Sequence, residues 1–298
     1  MPGFFSIAKY TLITLVAFVL GIGISGQNPR DYKVLSDVDN IKIGSSVLSI
    51  KSIAEQYKPY IYENMEHETS KFLFMWYEAI PTGKNLILTF RPVWEDERNS
   101  QAPIQDSLYR LYRRLYYGNP PIDTEYVQIV VDLSTGKRSL IKFETPEPNY
   151  DFLKLLQPHY QVEITDELEG KGSIKRILNP QGIIISENSL DIEDSSSLRL
   201  AVVTWNHLFA YVQKENSDQF LSFRQIDAEL RHLSEEDYRM HRFARRSQGS
   251  FSRRVGIVEA LPTFLAILFV LISCDILLFH FVINKQRFFK LMSQLFRE

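Results

Sequence analysis

Apolar and polar residues alternate in short blocks through the middle of the chain, and the apolar blocks lengthen into two long runs near its ends. Within 47–67, Ile53, Tyr57, Tyr60 and Ile61 recur at helical spacing, which predicts a helix there. Residues 72–90, "FLFMWYEAIPTGKNLILTF", are two apolar runs about Pro81-Thr82-Gly83, the pattern of a β-hairpin. In "PIQDSLYRLYRRLYYG", Leu108, Leu111, Tyr112 and Leu115 fall on one helical face and Gly118 ends the run, so a second helix is predicted.

Residues 126–143, "YVQIVVDLSTGKRSLIKF", form a second hairpin pattern. It shares Thr-Gly-Lys and a closing phenylalanine (Phe90, Phe143) with the first. Duplication of a β-β-α unit and convergence on one turn chemistry both account for this. The second is favoured, because glycine supplies the positive φ that such turns need. Neither Thr-Gly-Lys has the spacing of a phosphate loop.

Further along, "YQVEIT" reads as a strand and "KRILNPQGIIIS" as a hairpin turning at Asn179-Pro180-Gln181-Gly182. An acidic, serine-rich loop occupies 187–197. Residues 198–213, "LRLAVVTWNHLFAYVQ", fit a helix or a buried strand, and their length favours the helix. Residues 218–246 read as a helix pair or one broken helix. Ser234 and Asp237 make a capping box that predicts a fresh start at Glu235. The expected class is α+β, with antiparallel hairpins backed by helices.

The terminal runs change this picture. Residues 261–283, "LPTFLAILFVLISCDILLFHFVI", meet the roughly 20-residue length of a membrane-spanning helix. The shorter N-terminal run, 11–25, reads as an uncleaved anchor or as a signal-peptide core. Ile24 at the −3 position favours the anchor. The expected plan is an N-terminal anchor (1–26), a soluble α+β domain (27–254), a transmembrane helix (255–284) and a short basic amphipathic tail (285–298), in a bacterial inner membrane. The basic tail places the domain outside the cytoplasm. Arg239 to Arg254 weigh the other way, although long loops translocate largely regardless of charge.

Composition adds exclusions. The chain has 298 residues, a formal charge of -2 and one cysteine, Cys274. The charge argues against a dedicated nucleic-acid binder. The cysteine count excludes an intrachain disulfide and a multi-thiolate metal site. No cofactor fingerprint occurs, and "MEHET" lacks the second histidine of His-Glu-x-x-His.

Asp275, within the C-terminal apolar run, is the most informative polar residue of the sequence. An aspartate at a helix centre costs roughly 2.5–3.5 kcal/mol on insertion scales. Pairing with Lys9, pairing with a partner's helix, self-association and simple tolerance near the interface all account for it. Arg242, Arg245, Arg246, Arg253 and Arg254, with Lys285, Arg287 and Lys290 in the tail, are expected to meet anionic lipid or an acidic partner. The function these features predict is a non-enzymatic membrane-anchored protein. Its domain binds a ligand or an envelope protein, and it serves as a sensor or assembly subunit that contacts lipid, another membrane protein or a second copy of itself. The rival is a membrane-tethered hydrolase with an unrecognised site.

Overall fold

The structure is a computed structural model that describes residues 10–14, 16–17, 32–65, 70–98, 103–104, 106–107, 110, 122–148, 158–166, 173–190, 198–213, 218–240 and 264–273. The chain divides into two compact units. One gathers Met1–Pro29, Tyr238–Ala244 and Arg253–Glu298, and the other comprises Arg30–Asp237 with Arg245–Ser252.

The second unit carries fifteen strands among the described residues. They are β1 (Asn40–Ile43), β2 (Ser46–Ser49), β3 (Tyr60–Asn64), β4 (Phe72–Thr82), β5 (Asn85–Trp94), β6 (Asp123–Thr124), β7 (Val127–Asp132), β8 (Arg138–Thr145), β9 (Tyr160–Asp166), β10 (Ser173–Leu178), β11 (Ile184–Leu190), β12 (Arg199–Val202), β13 (Phe209–Tyr211), β14 (Phe223–Gln225) and β15 (Leu230–His232). One nine-stranded sheet runs β11-β10-β9-β8-β7-β5-β4-β15, with β6 paired to β5. A four-stranded sheet runs β13-β12-β3-β14, and β1 and β2 form a small hairpin.

The large sheet is a meander that links the hairpins expected from sequence. β4 and β5 turn at Gly83, whose φ of 58° suits the first central position of a type II′ turn. β7 and β8 are joined by the longer connection 133–137, with Gly136 at φ 71°. The two Thr-Gly-Lys tripeptides therefore sit in connections of different length, which favours shared chemistry over shared ancestry. The β10–β11 hairpin turns through 179–183. There the Asn179 side chain accepts from the Gln181 and Ile183 amides, and Gly182 has φ 80°.

Alternate residues of the central strands form the core. Met75, Tyr77 and Ala79 of β4, Leu86, Leu88, Phe90 and Trp94 of β5, Val127, Ile129 and Val131 of β7, and Ile141 and Phe143 of β8 share one cluster with Ile61, Leu200, Val202 and Phe209 of the smaller sheet. Helix α1 (Ile50–Tyr57) joins the same cluster through Ile50, Ile53, Ala54 and Tyr57, one stripe at i, i+3, i+4 and i+7. The opposite face of β4 and β5 is also buried, and there Arg91 pairs with Glu78 at 3.0 Å. Burial on both faces is why β5 lacks a strict apolar–polar alternation, with Leu86, Ile87 and Leu88 in succession.

Four expectations need correction. The class is mostly β rather than α+β, because strands supply both packed layers. The helix predicted across 47–67 stops at Tyr57. Pro59 drives Lys58 out of the helical region, to φ −48° and ψ 128°, and the chain continues as β3. Residues 198–213 are the hairpin β12–β13, in which a turn at Thr204–His207 joins two short apolar strands into one long apolar run. Residues 218–233 carry β14 and β15; only the start at Glu235 holds, as α2 (Glu235–Met240). There Ser234 Oγ accepts from the Asp237 amide at 2.9 Å and donates to its carboxylate at 2.7 Å.

The flanking transmembrane helices, and the membrane localisation drawn from them, are corrected as well. Among the described residues no helix is long and apolar enough to cross a membrane. Ten residues of the C-terminal apolar run, 264–273, are described, and they are helical.

Candidate polar centre at one end of the large sheet

Strand register brings a set of polar groups to one end of the nine-stranded sheet. β5 finishes there at Trp94, paired with Asp123 of β6. β8 finishes beside it at Thr145, paired with Tyr160 at the start of β9. Asp123, Glu125 and Glu144 are buried at this end, and His159 immediately precedes β9.

The Thr204–His207 turn adds the remaining groups. It is closed by the His207 amide donating to the Thr204 carbonyl at 3.1 Å and by the Leu208 amide donating to Thr204 Oγ1 at 2.9 Å. His207 takes φ 61° and is the one non-glycine residue with positive φ among the described residues. A Cβ in that region costs roughly 1–2 kcal/mol. Surrounding contacts hold the residue there. The imidazole is 1% exposed and stacks on Trp94, with centroids 4.2 Å apart and an interplanar angle of 7°. Trp94 is fixed in turn by donating from Nε1 to Glu63 of β3 at 2.5 Å.

Two histidines are oriented by carboxylates in the same way. His207 Nδ1 lies 2.6 Å from Asp123 Oδ2, and its Nε2 lies 3.2 Å from Ser70 Oγ. His159 Nδ1 lies 2.5 Å from Glu144 Oε2, and its Nε2 lies 3.3 Å from Asn206 Nδ2. In each ring the carboxylate assigns the proton to Nδ1 and leaves Nε2 as an acceptor. Burial pushes the His159 pKa below the usual imidazole value, and the nearby Asp123 charge opposes that shift.

Asn206 is buried, and among the described residues its Oδ1 has no hydrogen-bond partner although its Nδ2 does. One ligand-capable atom from each of Glu125, Glu144 and His159 falls within 4.8 Å of the other two. Two carboxylates and an imidazole at that spacing make a donor set suited to a divalent cation. The Ser70–His207–Asp123 relay has the hydrogen-bond order of a nucleophile, its base and an orienting acid.

The residues singled out from sequence as partner or membrane contacts are not described. Asp275, Lys9, Arg242, Arg245, Arg246, Arg253, Arg254, Lys285, Arg287 and Lys290 all fall outside the described residues. So does His67 of "MEHET", whereas His232 is described and bonds through Nε2 to the Leu35 carbonyl at 3.0 Å. The sequence reading missed the polar centre because its members come from widely separated segments. One signal was available: "TWNH" interrupts an otherwise apolar stretch, and a polar tetrapeptide there marks a turn. Comparison with protein-family models, with curated proteins and with solved structures finds no match.

Proposed function

We propose that the β-rich unit is a ligand-binding module, and that the polar centre around the Thr204–His207 turn is where the ligand is held. The observation that carries this reading is the positive φ of His207, kept by contacts to Asp123, Ser70 and Trp94. Backbone strain of this kind persists where the surroundings over-determine it, and such sites cluster at ligand clamps and active centres. Binding is preferred over catalysis because Ser70 and His207 are both buried, at 9% and 1% exposure. A nucleophile has to reach its substrate, whereas a buried donor set need admit only a small ligand.

The test uses the full chain and a panel of probes: divalent cations, inorganic phosphate and small dicarboxylates. One probe is expected to raise the thermal midpoint and to slow amide exchange across 203–208. Neither effect should occur in Asn206→Ala or His159→Gln. A panel that leaves the midpoint unmoved, or a shift that survives both substitutions, overturns the reading.

The Ser70–His207–Asp123 relay favours hydrolysis as the second reading. A fluorophosphonate probe that labels wild-type protein and not Ser70→Ala would put the relay to catalytic use. Absence of labelling leaves the binding reading ahead.

A further inference from the structure

We infer that the ligand of this centre is a first-row transition-metal dication, held by Glu125, Glu144 and His159, with Asn206 as the residue that orients the histidine; this rests on the binding reading above. The three ligand atoms already converge within 4.8 Å of one another. Glu125 and Glu144 are buried and His159 is half-buried, so a cation there would be largely withdrawn from water. The donor chemistry selects the class. Imidazole nitrogen with two carboxylate oxygens suits Zn²⁺, Mn²⁺ or Fe²⁺, whereas Ca²⁺ and Mg²⁺ prefer oxygen alone.

Asn206 supplies the independent observation. Its amide stands on the ring nitrogen of His159 that faces away from Glu144, with Nδ2 3.3 Å from Nε2. Its Oδ1 is buried and has no hydrogen-bond partner among the described residues, a state that costs free energy. Coordination gives that oxygen a donor, while Nδ2 turns into the place it leaves. A cation taken by Nδ1 displaces the proton now shared with Glu144. The imidazole stays neutral by carrying a proton on Nε2 instead, and that N–H needs an acceptor. A half-turn of the Asn206 amide presents Oδ1 to it. The metal-ligating histidine then donates its second ring N–H to a carbonyl oxygen, the usual arrangement around bound metals. An amide with one spent and one unspent atom at this position fits a ring that changes tautomer on binding.

The test is titration of chelator-stripped, full-length protein with Zn²⁺, Mn²⁺, Mg²⁺ and Ca²⁺ separately, read by calorimetry and by thermal midpoint. Zn²⁺ or Mn²⁺ should bind one per chain and raise the midpoint more than Mg²⁺ or Ca²⁺. Glu125→Gln and Glu144→Gln keep the side-chain shape and should each lower affinity at least tenfold. Asn206→Ala should weaken it by about tenfold to a hundredfold, as loss of an outer-shell partner does. Co²⁺ loading gives a readout that does not depend on stability: visible d–d bands in wild type that are lost in His159→Gln. Unchanged affinity in the two glutamine variants, or a preference for Mg²⁺ and Ca²⁺, overturns the inference. If phosphate or a dicarboxylate stabilises the protein through Asn206 and His159 while no cation does, the metal is wrong and the binding module stands. If no probe stabilises it, both fail.

Discussion

At His207 the backbone holds a left-handed conformation for the sake of an imidazole, and substitution separates the two contributions. His207→Ala and His207→Gly both remove the ring, its bond to Asp123 and its stack on Trp94. They differ only in the Cβ. Glycine should therefore be the less damaging of the two, by roughly 1–2 kcal/mol in urea unfolding, because it adopts positive φ without strain. Equal losses would show that the turn relaxes away from φ 61° once the ring is gone. None of this is legible from the sequence. A histidine in an apolar stretch looks the same whether it fills a core or clamps a ligand, and its partners lie in distant segments, Ser70 ahead of β4 and Asp123 in β6.

Turn chemistry ties the elements together, and it is the part of the fold most visible in advance. The β4–β5, β7–β8 and β10–β11 hairpins all follow from apolar runs parted by glycine-containing turns. What misled the reading was the turn with no glycine, Thr204–His207, where two short strands joined end to end resemble one helix. The β7–β8 connection yields a pH prediction. The Asp132 carboxylate accepts from the Ser134 hydroxyl and from the Ser134 and Thr135 amides at 2.8 and 3.1 Å. The hydroxyl and amide bonds of Ser134 hold its pKa below the usual aspartate value. A lowered folded-state pKa means that the contribution is fully present above the unfolded value of about 3.9 and is lost as pH falls below it. Wild type should exceed Asp132→Asn in thermal midpoint at pH 7. The gap should close as pH falls through that window. A gap that is constant with pH would mean that the turn is set by backbone alone.

Across the whole β-rich unit, protection should follow position in the sheet. β5 and β7 lie in its interior and are flanked on both sides. Their amides should exchange only through global unfolding, the slowest class. β11 is the outermost strand of its side among the described residues, and Ile183, Ile184 and Ile185 beside and within it are exposed at 62, 49 and 43%. It should exchange fastest among the strands of this sheet. An exposed apolar edge also invites edge-to-edge pairing, so Ile185→Lys should lower light scattering at high protein concentration. Uniform protection from β5 to β11 would count against this gradient. At this scale sequence patterning captured the three hairpins β4–β5, β7–β8 and β10–β11 and not their joining into one sheet. It could not capture the second layer, which depends on pairings between distant segments.

Those distant pairings bear on how the chain is made. Met75 of β4 lies beside Leu230 of β15, and Tyr60 of β3 lies beside Arg199 of β12, both in parallel register. A nascent chain leaving the ribosome can lay down β4, β5, β7, β8, β9, β10 and β11 in turn, each new strand finding its template already in place. Throughout that growth β3 and the outer side of β4 wait for strands not yet synthesised, and the apolar cluster still lacks Leu198, Leu200, Val202, Phe209 and Ala228. The unit can be completed only from its C-terminal side, once the segment that also carries Asn206 and His207 emerges.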